Sequence, residues 1–74
     1  MESEAHKLLL TSFGKHVASL RKKKKLSYRK VAQQCELEFS TIKKYEKGEF
    51  NMTFISLSEL AKGLGIPLKE LMDF

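Results

Sequence analysis

The chain has one cysteine, one proline and four glycines in 74 residues, and each scarcity removes a class of structure. With Cys35 alone, no disulfide can close within the chain. His6, His16 and Cys35 lie too far apart, in sequence and in helical register, for the paired spacings of a zinc site. No apolar run approaches the roughly 20 residues of a membrane-spanning helix. Leu8-Leu9-Leu10 is three residues long. The opening Met1-Glu2-Ser3-Glu4 is acidic and lacks the basic region and apolar stretch of a secretory signal, so a cytoplasmic location without membrane partners is expected. There is no Ser-His-Asp set, paired acid motif or glycine-rich phosphate loop, and therefore no enzyme, metal, cofactor or small-molecule substrate is expected. Acidic residues are the last scarcity: nine against fourteen basic ones, for a net charge of +5.

That charge is unevenly placed. Residues 1–48 carry twelve Lys and Arg against five Asp and Glu, whereas residues 49–74 carry two against four. One part of the chain suits a polyanion and the other does not. A solvated lysine-rich surface is the ordinary explanation for the same composition, so charge alone does not decide. Length adds a second constraint: chains of this size bury only about 60% of their unfolded surface. Without disulfide or metal, stability is left to helix packing, with or without help from a partner subunit.

The hydrophobic periodicity predicts five helices in one domain spanning residues 1–74. The first covers about residues 4–24, with Leu10, Phe13, Val17 and Leu20 on one stripe, Ser3 as N-cap and lysines at the C-terminal end. Gly14 within it costs about 1 kcal/mol relative to Ala. A close approach of another helix would account for it. Ser27 caps a second helix over residues 28–35, with Val31, Ala32 and Cys35 inward; Cys35 reads as a small apolar filler. Both histidines are expected at the surface. Glu36-Leu37-Glu38 forms a three-residue turn into a third helix over residues 39–47, which sends Ile42 and Tyr45 to the core and stops at Gly48. Thr53 caps a fourth helix over residues 54–64, closed by Gly65, and Pro67 opens a short fifth helix as its first residue.

Two short helices joined by a tight turn make a helix-turn-helix unit, here about residues 28–47, whose second helix enters the major groove. That groove is about 12 Å wide and admits one helix. The outward face of residues 39–47 carries Phe39, Ser40, Lys43, Lys44 and Lys47. The same face on an unrelated protein would be an ordinary solvated surface. The order of motifs is more specific. Phe13-Gly14-Lys15-His16-Val17-Ala18-Ser19-Leu20-Arg21 resembles the first helix of the Cro/repressor-type (XRE) helix-turn-helix family. Leu26-Ser27-Tyr28-Arg29-Lys30-Val31-Ala32 is similar to its second helix, and Ser40-Thr41-Ile42-Lys43-Lys44-Tyr45-Glu46-Lys47-Gly48 to its recognition helix. The stretch from Leu57 to Ile66, followed by a Leu-x-x-Leu, resembles the fourth and fifth.

The resemblance implies an all-α, five-helix, lambda-repressor-like DNA-binding domain and assigns roles. Phe39, Ser40, Thr41 and Lys44 match positions that face base edges; Phe39 is alternatively an anchor for the start of its own helix. Ser27, Tyr28, Lys43, Lys47 and Asn51 match phosphate contacts, and Arg21 with Glu46 matches a structural ion pair. Lysines 22–25 are assigned only diffuse attraction. Four positions depart from the pattern. Glu36 stands where the family favours a left-handed Gly, Glu38 where it favours a Ser or Thr cap, Lys30 where a Glu would complete a cap, and Met52 where Pro is frequent.

Family repressors dimerise, placing two half-sites about 34 Å apart on a double-stranded palindrome. Ile55, Leu68, Leu71, Met72 and Phe74 offer more apolar side chains than two short helices bury, so a homodimer through residues 54–74 is expected. The alternative is an antitoxin or adaptor whose C-terminal apolar surface binds a different protein. Within the family, the compact chain and the loop Phe50-Asn51-Met52-Thr53 are similar to restriction-modification controller proteins.

Overall fold

Three helices begin at a capping hydroxyl. In the computed structural model, which describes residues 3–74, the Ser3, Ser27 and Thr53 oxygens accept from the backbone N–H of His6, Lys30 and Ser56 at 3.2, 3.0 and 3.0 Å. Such caps contribute about 1 kcal/mol each relative to Ala. Met1 and Glu2, part of the acidic N-terminus, lie outside the described residues. Among those described there are five helices and no strand: α1 (Glu4–Lys23), α2 (Tyr28–Gln33), α3 (Phe39–Glu46), α4 (Phe54–Leu64) and α5 (Leu68–Leu71).

The ends differ from expectation where tertiary bonds compete with the helix. α2 stops at Gln33 rather than Cys35, and the turn to α3 spans residues 34–38 rather than three. The reason is α4: the Gln34 carboxamide donates to the Gly63 carbonyl at 2.6 Å, and the Glu36 N–H donates to Glu59 Oε1 at 2.8 Å. Glu36 therefore needs no left-handed backbone, and it has none. The only non-glycine residue with positive φ among those described is Lys25, at 57°. Glu38 stands at the N-cap of α3 and makes no side-chain cap bond. Pro67 precedes α5 as its N-cap, with an extended ψ of 152°, instead of forming its first turn. It lies just beyond Gly65, whose left-handed φ of 72° ends α4 with the Ile66 N–H donating to the Ala61 carbonyl.

The core gathers Phe13 and Val17 from α1, Val31 from α2, Ile42 and Tyr45 from α3, Leu60, Ala61 and Leu64 from α4, and Ile66 and Leu71 beyond it. Leu71, expected on a dimer surface, is fully buried and belongs to this core. A four-residue helix packed on α4 turns one side wholly inward, and Leu71 is on that side. α1 and α3 meet backbone to backbone at Gly14. A Cβ there would overlap the Glu46 carbonyl and lie 2.7 Å from that of Tyr45. This is the close approach that offsets a glycine in mid-helix. Cys35 is half-buried with its Sγ 3.4 Å from the Val31 carbonyl, and burial pushes its thiol up, as suits a filler. His6 is exposed, but His16 is half-buried, stacked on Phe74 and 3.3 Å from the Glu70 carbonyl.

Candidate nucleic-acid interface

The amphipathic pattern of α3 fixes what it shows to solvent. Ile42 and Tyr45 are buried, Thr41 is half-buried, and Phe39, Ser40, Lys43, Lys44 and Lys47 are exposed. The helix is gripped from behind at its C-terminal end. Arg21 Nε donates to Glu46 Oε2 at 2.6 Å and Nη2 to Oε1 at 3.2 Å, with the two side chains only 11% and 6% exposed. The expected ion pair is therefore formed and nearly dry. Its hydrogen bonds to Glu46 hold the guanidinium above its ordinary range despite burial. A third Arg21 bond, Nη1 to the Leu26 carbonyl at 2.9 Å, ties the loop before α2 to the same cluster.

Tyr28 has a different role from the one the family pattern implies. Its hydroxyl donates to Glu46 Oε1 at 3.1 Å, under the Arg21 guanidinium, which lies 4.2 Å from the ring centroid. Burial, and then the Glu46 carboxylate, push the phenol above its usual range. A hydroxyl committed inward is not free to hold a phosphate. The Tyr28 ring instead supports Lys43, whose ammonium stands 5.9 Å from its centroid.

The remaining expected contacts are distributed as follows. Phe39 is 43% exposed, with the Arg29 guanidinium 5.3 Å over its ring, so it is partly an anchor between α2 and α3 and partly open. Ser27 is exposed; its oxygen is used by the cap, which leaves its O–H as donor. Asn51 is exposed and shares a hollow with His6, Leu9 and Leu10 of α1. One supporting residue was not foreseen. Phe50 packs edge-on to Tyr45 at 6.3 Å and carries the Lys44 ammonium 5.0 Å above its ring. No periodicity marks it, because it lies in a loop. On the expected dimer face, Ile55 is 70%, Phe74 50% and Met72 44% exposed, and Leu68 is half-buried. Phe74 also packs on Phe13 of its own chain at 5.2 Å.

A cationic helix held outward, seated on a shorter capped helix and braced by a dry ion pair to the first, is a helix-turn-helix DNA-binding arrangement. The chain belongs to that family: the helix-turn-helix family profile, of XRE type, matches residues 17–71. Its relatives narrow the class to transcription regulators that bind DNA. The chain is 33% identical over 63 residues to Control protein C.BamHI of Bacillus amyloliquefaciens, covering 84% of this chain and 78% of that protein. Its structure is similar to that of the restriction-modification controller protein C.AhdI from Aeromonas hydrophila, with a TM-score of 0.79 and 32% identity over 85% of this chain and 96% of that one. It is also similar to a tyrosine-to-phenylalanine mutant of the restriction-modification controller protein C.Esp1396I, with a TM-score of 0.80 and 25% identity over 99% and 87%. No described helix is long and apolar enough to cross a membrane.

Proposed function

We propose that the chain is a restriction-modification controller: a homodimer that reads a palindromic double-stranded operator, one α3 helix per half-site. The observation that carries this is the exposed row Ser40, Lys43, Lys44 and Lys47 on a helix braced by Arg21–Glu46 and by the Gly14 contact. A braced helix keeps its donors oriented toward base edges without paying for ordering on binding, which favours specific readout over loose attraction. In this reading Phe39, Ser40, Thr41 and Lys44 face bases, while Lys43, Lys47, Ser27 and Asn51 face phosphates. Residues 54–74 form the dimer contact through Ile55, Met72 and Phe74 with Leu68 at its edge. Their exposure, together with a segment of opposite charge to the DNA-facing part, supports it. Controller relatives support the biological setting, and cytoplasmic residence follows from it.

Selection of bound duplexes from a random pool tests the proposal. Two inverted copies of one short motif, spaced by about one helical turn, are expected. Enrichment of no motif, or of a single unpaired one, would overturn the dimeric reading. A chain that stays monomeric and pairs only with a different protein would turn the argument to an antitoxin or adaptor.

A further inference from the structure

The run Lys22-Lys23-Lys24-Lys25 reads as uniform charge, but the fold divides it. Lys22 and Lys23 line a hollow with Lys15, Ala18 and Ser19 of α1. The Lys24 ammonium reaches the Gly65 carbonyl at 3.5 Å. Lys25 forms no ion pair among the described residues and is exposed. It also has an unusual backbone. α1 closes with the Lys25 N–H donating to the Lys22 carbonyl and the Leu26 N–H to the Arg21 carbonyl, both at 3.0 Å, which is the helix ending that calls for a left-handed residue. Glycine is the usual choice there because it has no Cβ to strain. This chain places a lysine at φ 57°.

Non-glycine residues held in the left-handed region are strained and cluster at ligand-contacting sites. Lys25 lies two residues before the cap of α2, in a loop fixed from within by the Arg21 bond to the Leu26 carbonyl. On the other side of that cap, Tyr28 carries Lys43 of α3. Lys25 therefore adjoins a segment that Arg21 ties both to the start of α2 and, through Glu46, to the C-terminal end of α3. We propose that Lys25 is a DNA-backbone contact, whose ammonium pairs with a phosphate at the edge of the site that α3 reads. The proposal rests on α3 being the DNA-reading helix. It separates Lys25 from its three neighbours: one member of the run makes a discrete contact, and the rest supply diffuse attraction.

Lys25→Gly separates strain from charge, because it relaxes the backbone while removing the ammonium. Its thermal midpoint is expected to equal or exceed that of the wild type. Because the dimer carries two copies, affinity for the selected operator is expected to fall about 25- to 100-fold near 0.1 M salt, with the slope of log K against log salt reduced by about 1.8, the value of two phosphate contacts, one in each half-site. Lys22→Ala removes the same charge from the side of α1 shared with Lys15, and should lose less than about twofold with an unchanged slope. Equal losses in the two variants, or an unaltered slope in Lys25→Gly, would overturn the assignment. A wild-type chain that binds no duplex overturns both this inference and the proposed function. A wild-type chain that binds while Lys25→Gly binds equally well overturns this inference alone.

Discussion

Glu46 accepts three hydrogen bonds, two from Arg21 and one from Tyr28, at a site with little solvent access. Arg21→Ala would leave its carboxylate buried beside a lone phenol, and a loss of about 3–5 kcal/mol in urea unfolding is expected. The same cluster sets a pH response. Tyr28 is raised in the folded chain by burial and by Glu46, so the fold binds its proton more tightly than the unfolded chain does. That contribution is complete below the unfolded value, near pH 10, and is lost as pH rises through the folded one. Thermal midpoints should therefore drop more steeply above about pH 10 in the wild type than in Tyr28→Phe; parallel curves would sink the assignment. On the open face, Lys44→Ala should relax preference at one or two bases per half-site in repeated selections, a cost of about 1–3 kcal/mol against the preferred base. Lys47→Ala should weaken all duplexes alike and flatten the salt dependence. The Arg21–Glu46 pair lies 25 residues apart, so only likeness to a family makes it legible in sequence. The inward hydroxyl of Tyr28 is not legible at all, since a tyrosine in the first turn of a helix can point either way.

Helices were legible where local chemistry decides and less so where distant groups do. The Ser3, Ser27 and Thr53 caps mark their starts from three-residue windows. The end of α2 depends on Gln34 and Glu36 bonding to α4, more than twenty residues away, and no local pattern reports that. Glu36 shows the limit of analogy as well: the left-handed glycine of the family is replaced by a side-chain acceptor, Glu59, that holds the turn by other means. Gly14 is the opposite case, a mid-helix glycine whose cost pointed to a crossing that is there. Gly14→Ala should destabilise by about 3 kcal/mol, the upper end for overpacking, because the atoms met are backbone carbonyls that cannot rotate away. Denaturant midpoints would read it directly. A loss below about 1 kcal/mol would mean that α1 and α3 can separate freely.

For the whole molecule, the test is association. The proposed two-fold assembly has a mass near 17 kDa, about twice the 8.5 kDa chain. Ile55 is 70% exposed on α4, so Ile55→Glu should leave the monomer folded, yield the single-chain mass by light scattering, and weaken palindrome binding about 100-fold or more as two linked contacts become one. Unchanged mass would exclude Ile55 from the contact. The bonds from Gln34 and Glu36 to α4 then have a geometric outcome. In the proposed dimer built on α4, these two bonds would fasten each reading head to the element that joins it to its twin, so that the pair would act as a caliper. A caliper cannot adjust its span. In the proposed dimer, a mismatch in pitch would have to be taken up by curvature of the duplex, which would favour pliable base steps between the half-sites.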